Sequence, residues 1–405
     1  MITFFFHPNI TTPGGVQSLI INISRALFKK NIKIKLIDTK DGIIYRELKS
    51  NNVKFEFLDY DDDKTRDSVD ENDILVSFGE FQRDYAYFRN KNIRYVYWSV
   101  FHDALITKFN LRVSIKYKKY SNNNFISRFF TSKLVKLLSN KKAIIVMEEA
   151  HFDLYKRYNS KFKNINYSTV LIPIDIKEKI DRDVISEDEI NIAYIGREES
   201  WKILPFIHLL EELINLDLPK KNIIHLFSDN CSVYFDFIKS YEIHLPNNIC
   251  IETYNNYNAT SIKKILSSNV DILFAMGTSL LEGASIGIPT VILDAFDKKI
   301  NFEYKYRWLH DEGGYSLGLP IWIWPNKRGT PLISILDQIY KNNEFKEISN
   351  KSYLYTKKYH DLDKIVDDFF TSIHQTELKL KDLYWVYRVL TIKYSTQKNI
   401  KKIFT

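Results

Sequence analysis

The stretch Val270 to Asp294, VDILFAMGTSLLEGASIGIPTVILD, constrains the fold more than any other part of the chain. It holds two short apolar runs, Val270–Met276 and Thr290–Leu293. Each is rich in β-branched or large apolar residues and bounded by turn residues, so each reads as a buried strand. Between them lie a Gly277-Thr278-Ser279 turn and a helical pattern from Leu280 to Ile286. Gly287 is placed to stop that helix and Pro289 to start the next strand. The whole is a β-loop-α-β unit whose helix opens at a Gly/Ser/Thr loop. A helix start offers unpaired N–H groups and the positive end of the dipole, which suits a phosphate. Glu282 falls in the first turn of the expected helix. Its carboxylate cannot bind phosphate but can accept hydrogen bonds from ribose hydroxyls. An ordinary βαβ unit with Glu282 as a helix-dipole residue explains the same letters, and both readings stand at this level.

The segment resembles the donor site of retaining GT-B glycosyltransferases, especially glycosyltransferase family 4. There a Glu in a Leu-Glu-(Ala/Gly) context, followed by Gly-x-Pro-(Val/Thr), binds the ribose of a nucleotide sugar. Leu281-Glu282-Gly283 and Gly287-Ile288-Pro289-Thr290 match that pattern. The resemblance implies a donor-binding set here of Gly277, Thr278, Ser279, Leu281 and Glu282. The family usually carries a second Glu eight positions upstream, on the donor sugar; this chain has Phe274 there.

A chain of 405 residues normally makes two or more domains. With 45% hydrophobic and 15% aromatic residues it can build sizeable cores. Two cysteines, Cys231 and Cys250, do not make a disulfide framework and are expected as reduced core thiols. The N-terminal MITFFFHPN lacks the basic and long apolar regions of a signal peptide. No run approaches the roughly 18 apolar residues of a membrane span. The expected location is therefore the cytoplasm. The net charge of +8 is local: Ala104 to Met147 carries ten Lys or Arg and no Asp or Glu, leaving 8 − 10 = −2 elsewhere.

From the N-terminus, Ile2–Phe6 reads as a strand, His7 to Gly15 as a loop, Val16 to Lys29 as a helix and Ile32–Ile37 as a strand. Gly14 and Gly15 stand at the helix start, where a phosphorylated ligand or merely a tight turn needs small residues. In the resembling family the equivalent Gly-Gly loop faces the donor phosphates and sugar. Further strands are expected at Phe55–Leu58, Asp73–Phe78 and Arg94–Val100. Asp59 to Asp63 is a solvated acidic loop rather than a metal site. His102 and Asp103 follow the last of these strands, at the edge where α/β sheets place ligands. His suits acid/base or hydrogen-bonding work near neutral pH, though a plain loop histidine is the simpler reading. The resemblance implies that His102 contacts the donor sugar at the reaction centre.

The basic segment from Lys108 to Lys142 interleaves its cations with Phe109, Tyr117, Tyr120, Phe125, Phe129 and Phe130. Its Phe125–Leu138 part is helical, with Lys133 and Lys136 inside the apolar arc. A solvated face, nucleic acid and an anionic membrane surface compete for it. The membrane is favoured over nucleic acid, because a segment without acids is an unusual solvated face and the resembling enzymes often use lipid-linked acceptors. Lys142–Met147 and Val170–Ile172 are expected strands, and Asp175 to Glu189 a linker.

Ile190–Ile195 opens a second α/β set and leads into Gly196-Arg197-Glu198-Glu199-Ser200-Trp201-Lys202, before a helix over Ile203–Leu213. Arg197 and Lys202, on a loop at a helix start, would neutralise a departing diphosphate; two exposed cations are the alternative. The family has Gly-Arg and then a Lys five residues on, and Gly196, Arg197 and Lys202 keep that spacing. Asn222–Phe227 and Ile249–Ile251 are expected strands, Ser261–Leu266 a helix, and His360 to Phe370 the start of a terminal helix. The basic tail from Leu383 onward has no acids.

The expected fold is α/β: two Rossmann-like domains facing across a cleft, with a C-terminal helix crossing back to the N-domain. The expected divisions are 1–175 for the acceptor side, 176–358 for the nucleotide sugar, and 359–405 for the crossover helix and basic tail. The resemblance implies a retaining, metal-independent hexosyltransferase-type enzyme of bacterial cell-surface glycan synthesis, such as lipopolysaccharide or capsule. It would use a nucleotide-diphosphate sugar as substrate, no cofactor, and a glycan or lipid-linked acceptor. It would sit peripherally at the inner face of the plasma membrane. His102, Arg197 and Lys202 are its candidate catalytic residues. A non-catalytic GT-B scaffold that recruits a partner to the membrane is the main alternative. A nucleotide-sugar epimerase would need cleft carboxylates that the sequence does not display.

Overall fold

The computed structural model describes residues 1–404 apart from 12, 13, 103, 110–124, 159–161, 163, 181, 183–185, 187 and 256–258. Asp103 and the centre of the basic segment, with Arg112, Lys116, Tyr117, Lys118, Lys119 and Tyr120, therefore lie outside the described residues. So does part of the expected linker.

The chain folds into two compact units: Met1–Pro173 with Leu362–Thr405, and Ile174–Asp361. In the first, the described strands form a parallel sheet ordered β3-β2-β1-β4-β5-β6-β7. They are β1 Ile2–Phe5, β2 Ile34–Asp38, β3 Glu56–Asp59, β4 Ile74–Ser77, β5 Arg94–Ser99, β6 Ile144–Val146 and β7 Ser168–Thr169. β1, β2, β4 and β6 are buried along their whole length, as a sheet covered on both faces requires. The helix Gly15–Lys29 buries Leu19, Ile20, Ile23, Ala26 and Leu27, one stripe at helical spacing. β7 lies just before the expected Val170–Ile172 strand. Val170 continues the pairing by one bond, its N–H donating to Val146 O at 2.9 Å, and Val170 and Leu171 are buried, so the strand ends earlier than expected.

The C-terminal part of this unit contains two helices, Leu362–His374 and Tyr384–Phe404, so the basic tail is helical. Phe369 stacks on Trp98 at 4.9 Å and on Phe4 at 6.0 Å. The Tyr95 N–H donates to Leu378 O (2.8 Å) and the Leu380 N–H to Ile93 O (2.9 Å), laying residues 378–380 beside the start of β5. Trp385 stacks on Phe109 and Phe130 at 6.2 and 6.1 Å. Lys133 Nζ stands 4.6 Å from the centre of the Trp385 ring. That cation–π contact accounts for a lysine inside the apolar arc of the helix Phe125–Asn140.

The second unit has the order β10-β9-β8-β11-β12-β13. Its strands are β8 Glu189–Ile195, β9 Lys221–Ser228, β10 Ile249–Asn255, β11 Ile272–Ala275, β12 Thr290–Ile292 and β13 Arg307–Trp308. All pair in parallel except β13. Sequence patterning passes over β13 and the helices Ser232–Ser240, Leu332–Tyr340 and Phe345–Tyr359. The stretch expected as a linker is pinned to the unit. Arg182 pairs with Asp271 at 2.8 Å, and the Ile180 N–H donates to Ile286 O at 3.1 Å. Both cysteines are free, but only Cys231 is a core thiol; Cys250 is exposed.

Asp294, just past β12, fastens this sheet edge. Its side chain is 2% exposed and receives both arms of Arg307 from β13, each at 2.9 Å. It also accepts from the Leu319 N–H (2.9 Å) and from Asn326 Nδ2 (3.0 Å). Arg307→Met should lower the unfolding free energy by about 3–5 kcal/mol, because it leaves a buried carboxylate without its cation. Urea titration measures this. A loss of about 1 kcal/mol or less, as exposed pairs give, would mean that the clasp contributes little.

Candidate functional site

In the second unit β8 and β11 are parallel neighbours, with Ile195 opposite Ala275. β9 flanks β8 on the other side, with Phe227 opposite Ile195. The loops after these strands therefore leave one carboxyl edge side by side, where open α/β sheets bind ligands. The loop after β8 is held by two buried tyrosines. Tyr194 Oη donates to Lys202 O (2.9 Å) and Tyr234 Oη to Arg197 O (3.1 Å). A Cβ at position 196 would collide with the Tyr194 ring, so Gly196 is required by close approach. The following helix runs Ser200–Asn215, three residues earlier than its apolar pattern suggests. Lys202 consequently lies in the first helical turn rather than on the loop.

A cation at that end of a helix opposes the dipole. Burial, reinforced by repulsion from Arg197, pushes the Lys202 amine down to about 8, against the opposing charges of Glu199 and Glu198. Among the described residues no carboxylate lies within ion-pair distance of Lys202; its Nζ stands 5.0 Å from the Trp201 ring centre. Arg197 is about half exposed and lies 3.5 Å from Glu199. Glu198 is bonded instead to the loop after β9, accepting from Ser228 Oγ and the Asn230 N–H at 2.5 Å each. Arg197 and Lys202 thus form a doublet of positive charge, partly desolvated and underneutralised. Its electrostatic energy falls when an anion arrives.

At the neighbouring loop Gly277 has φ +70° and ψ −142°, and its N–H donates to Leu317 O at 2.6 Å. The helix Thr278–Ala284 starts directly after it. Glu282 is thereby the fifth helical residue, past the first turn in which a dipole effect acts, and the helix-dipole reading loses its basis. Its side chain is partly buried and has no hydrogen-bond or ion-pair partner among the described residues. Burial raises its carboxyl above the usual range, against an opposing pull from Lys263. Thr278 and Ser279 are partly exposed, whereas Leu281 is fully buried and packs in the core. Phe274 lies inside β11, 0% exposed, edge-on to Tyr306 at 5.8 Å. Only Met276 and Gly277 separate β11 from the helix, so position 274 belongs to the core and not to a loop that could carry an acid. A cavity of about 560 Å³ elsewhere in this unit is lined by Glu211, Glu212, Glu242 and Glu303, a poor setting for phosphate.

In the first unit the helix after β1 starts at Gly15. Gly14 caps it in extended backbone that any residue adopts. His102 follows β5, and its Nε2 lies 2.6 Å from Glu148 Oε1. Glu148 follows β6, the parallel neighbour of β5. His151 is fully buried, and its Nε2 lies 3.6 Å from the same oxygen. The two imidazoles meet edge-on at 4.6 Å. Burial would raise the Glu148 carboxyl, but the imidazoles of His102 and His151 outweigh it and hold that group well below the usual range. Sequence reasoning missed Glu148 and His151. Their signal was present as Glu-Glu-Ala-His directly after an expected strand.

Two helix-covered parallel sheets, with the chain returning to the first unit after Asp361, define the GT-B fold of two Rossmann-like domains. The sequence matches no protein-family model. It is not similar to any curated protein at the sequence level either. Solved structures do share the fold. A glycosyltransferase from Rickettsia africae is 13% identical, with 92% of this chain and 97% of that one covered at a TM-score of 0.56. The HepE protein of Anabaena, in complex with UDP and glucose, is 12% identical, covering 92% and 99% at 0.55. The apo lipopolysaccharide outer core galactosyltransferase WaaB is 13% identical, covering 92% and 99% at 0.53.

Gly277 is the backbone pivot of the β11 loop. Gly277→Ala finds open space for its Cβ, so any penalty is conformational. It should cost about 1–3 kcal/mol in thermal or urea unfolding. An unchanged midpoint would show that the loop relaxes freely.

Proposed function

We propose that this protein is a glycosyltransferase which holds a nucleoside-diphosphate sugar in its second unit and passes the sugar to a hydroxyl acceptor. One observation carries the reading: a half-buried, underneutralised Lys202 beside Arg197, on the same sheet edge as Gly277 and a Glu282 without a partner among the described residues. Arg197, Lys202 and the N–H groups around Gly277–Ser279 take the diphosphate, and Glu282 takes the ribose hydroxyls. HepE, of like fold, binds UDP and glucose, which favours UDP as the first nucleotide to try.

In the reaction the bond from the anomeric carbon to the diphosphate oxygen breaks, and a bond from the acceptor oxygen to that carbon forms. The acceptor proton leaves with the diphosphate. Positive charge grows on the sugar and negative charge on the leaving group. Arg197 and Lys202 stabilise the latter, and the reading routes no step through a metal. Attack from the face of the leaving group gives retention. His102 is assigned to orienting the donor sugar, and Gly14 and Gly15 to the donor phosphates. The acceptor is proposed as a glycan or lipid-linked sugar of the cell surface. A catalytically silent GT-B scaffold is the second reading, favoured by Phe274 in place of an acid.

The same proposal includes peripheral attachment to an anionic membrane. No helix among the described residues is long and apolar enough to cross a bilayer. The helix Phe125–Asn140 exposes Phe125 (80%), Ile126 (53%) and Phe129 (54%) beside Arg128 and Lys136. Exposed aromatic and aliphatic groups next to cations suit an interfacial helix.

Calorimetry with UDP tests the donor site. Lys202 is charged below pH 8 and gains an anionic neighbour on binding, so bound nucleotide raises its pKa. Affinity should therefore fall about tenfold between pH 7 and pH 9 by proton linkage, and the fall should vanish in Lys202→Met. Arg197→Ala and Lys202→Ala should each lower turnover on the order of 10²-fold. If no nucleoside diphosphate binds, the assignment is wrong. Binding without any sugar transfer selects the scaffold. Separately, replacing Phe125, Ile126 and Phe129 by Ser should release the protein from phosphatidylserine vesicles in sedimentation. Equal sedimentation of both forms would refute the membrane contact.

A further inference from the structure

The cluster at the ends of β5 and β6 has a geometry that a single hydrogen bond does not require. Two imidazole nitrogens converge on one carboxylate oxygen. His102 Nε2 lies 2.6 Å and His151 Nε2 3.6 Å from Glu148 Oε1. One donor atom from each of the three residues lies within 4.8 Å of the others. Glu148 and His151 are spaced i, i+3 at the start of the helix Glu149–Tyr158, so they project from one face. His102 reaches them from the neighbouring strand end, set by the Ser99–Val146 register of β5 and β6. All three side chains are largely enclosed, with exposures of 12% for Glu148, 0% for His151 and 18% for His102. A carboxylate and two imidazole nitrogens thus converge in a small, largely enclosed space and make a preformed chelate.

We propose that His102, Glu148 and His151 form a binding site for a divalent first-row transition ion, with Zn²⁺ as the leading candidate. Two imidazoles and one carboxylate are the donor set of open zinc sites, whereas Mg²⁺ and Ca²⁺ take oxygen ligands. At metal–ligand distances near 2.0–2.1 Å, tetrahedral ligand atoms stand roughly 3.3 Å apart. The His151–Glu148 separation is close to that value. The His102–Glu148 separation must open by roughly 0.7 Å. The ion thus replaces the direct His102–Glu148 contact, and protons held on the ligand atoms leave to solvent. With three protein ligands the remaining position takes water. Occupancy would anchor His102 to the metal. If the donor-sugar role proposed for His102 holds, Zn²⁺ would then act on the same reaction edge. The binding claim itself does not depend on that reading.

The test uses the full chain without nucleotide. Isothermal titration with Zn²⁺ in two buffers of different ionisation heat should give one site per chain and proton release on binding. Co²⁺ should compete for it and Mg²⁺ should not. Glu148→Gln should weaken Zn²⁺ by at least about 100-fold, since even residues that only support a ligand cost 10–100-fold. His102→Asn should weaken it comparably. His102 is the least buried of the three, so His102→Asn keeps the test decisive if Glu148→Gln unfolds. His244→Ala, at an exposed histidine of the second unit, should leave binding unchanged. Absence of stoichiometric Zn²⁺ binding, or binding that survives both His102→Asn and Glu148→Gln, would overturn the proposal. Because no nucleotide is present, either result is independent of the donor-site reading.

Discussion

The second unit depends on one buried ion pair, the fork of Arg307 on the carboxylate of Asp294. The last parallel strand of a sheet leaves an exposed edge that proteins cover or blunt. Here β13 turns back antiparallel, and Arg307 on that strand reaches the carboxylate at the end of β12. The same carboxylate gathers the Leu319 N–H and the Asn326 amide, so the loop that follows β13 is drawn onto the sheet edge. Leu317 on that loop then accepts the Gly277 N–H. A single desolvated charge pair is thus linked through one loop to the backbone of the candidate site. Such a pair is a weak source of net stability but a strong determinant of one arrangement, because either charge alone is costly to bury.

The candidate site follows from what parallel strands force on a chain. Strands in parallel deliver all their following loops to the same edge, so residues far apart in sequence arrive together without further design. Arg197, Lys202, Gly277 and Glu282 share the edge of one sheet because Ile195 and Ala275 are ladder partners. His102, Glu148 and His151 share the edge of the other because Ser99 and Val146 are. In both places groups are held in states that are unfavourable alone. Lys202 is partly desolvated at the positive end of a helix, and Glu282 is half-buried with no partner among the described residues. Functional sites are where such local costs collect.

Much of this was legible in the letters. Short β-branched runs separated by helical stripes marked most of the strands, and Gly196-Arg197 with Lys202 and Leu281-Glu282-Gly283 stood out by spacing. What failed did so for physical reasons. The apolar stripes begin at Leu280 and Ile203, but the helices begin where the backbone turns, at Thr278 and Ser200. The apolar stripe alone therefore suggests Lys202 on a loop and Glu282 in a first turn, where the structure has a first turn and a fifth helical residue. Val170 and Leu171 extend the apolar pattern past the end of β7 because burial selects apolar residues after the ladder has stopped. Arg182 looked like part of a linker because its partner, Asp271, lies far along the chain.

The sequence by itself determined the class of fold, since hydrophobic periodicity is local and each βαβ unit declares itself within a few dozen residues. It also determined which loops bear cations and glycines. Only the tertiary structure decided which charges lose their solvent, which carboxylates stay unpaired, and that two histidines close on Glu148. Burial and partnership depend on neighbours from distant strands, and no window of sequence contains them.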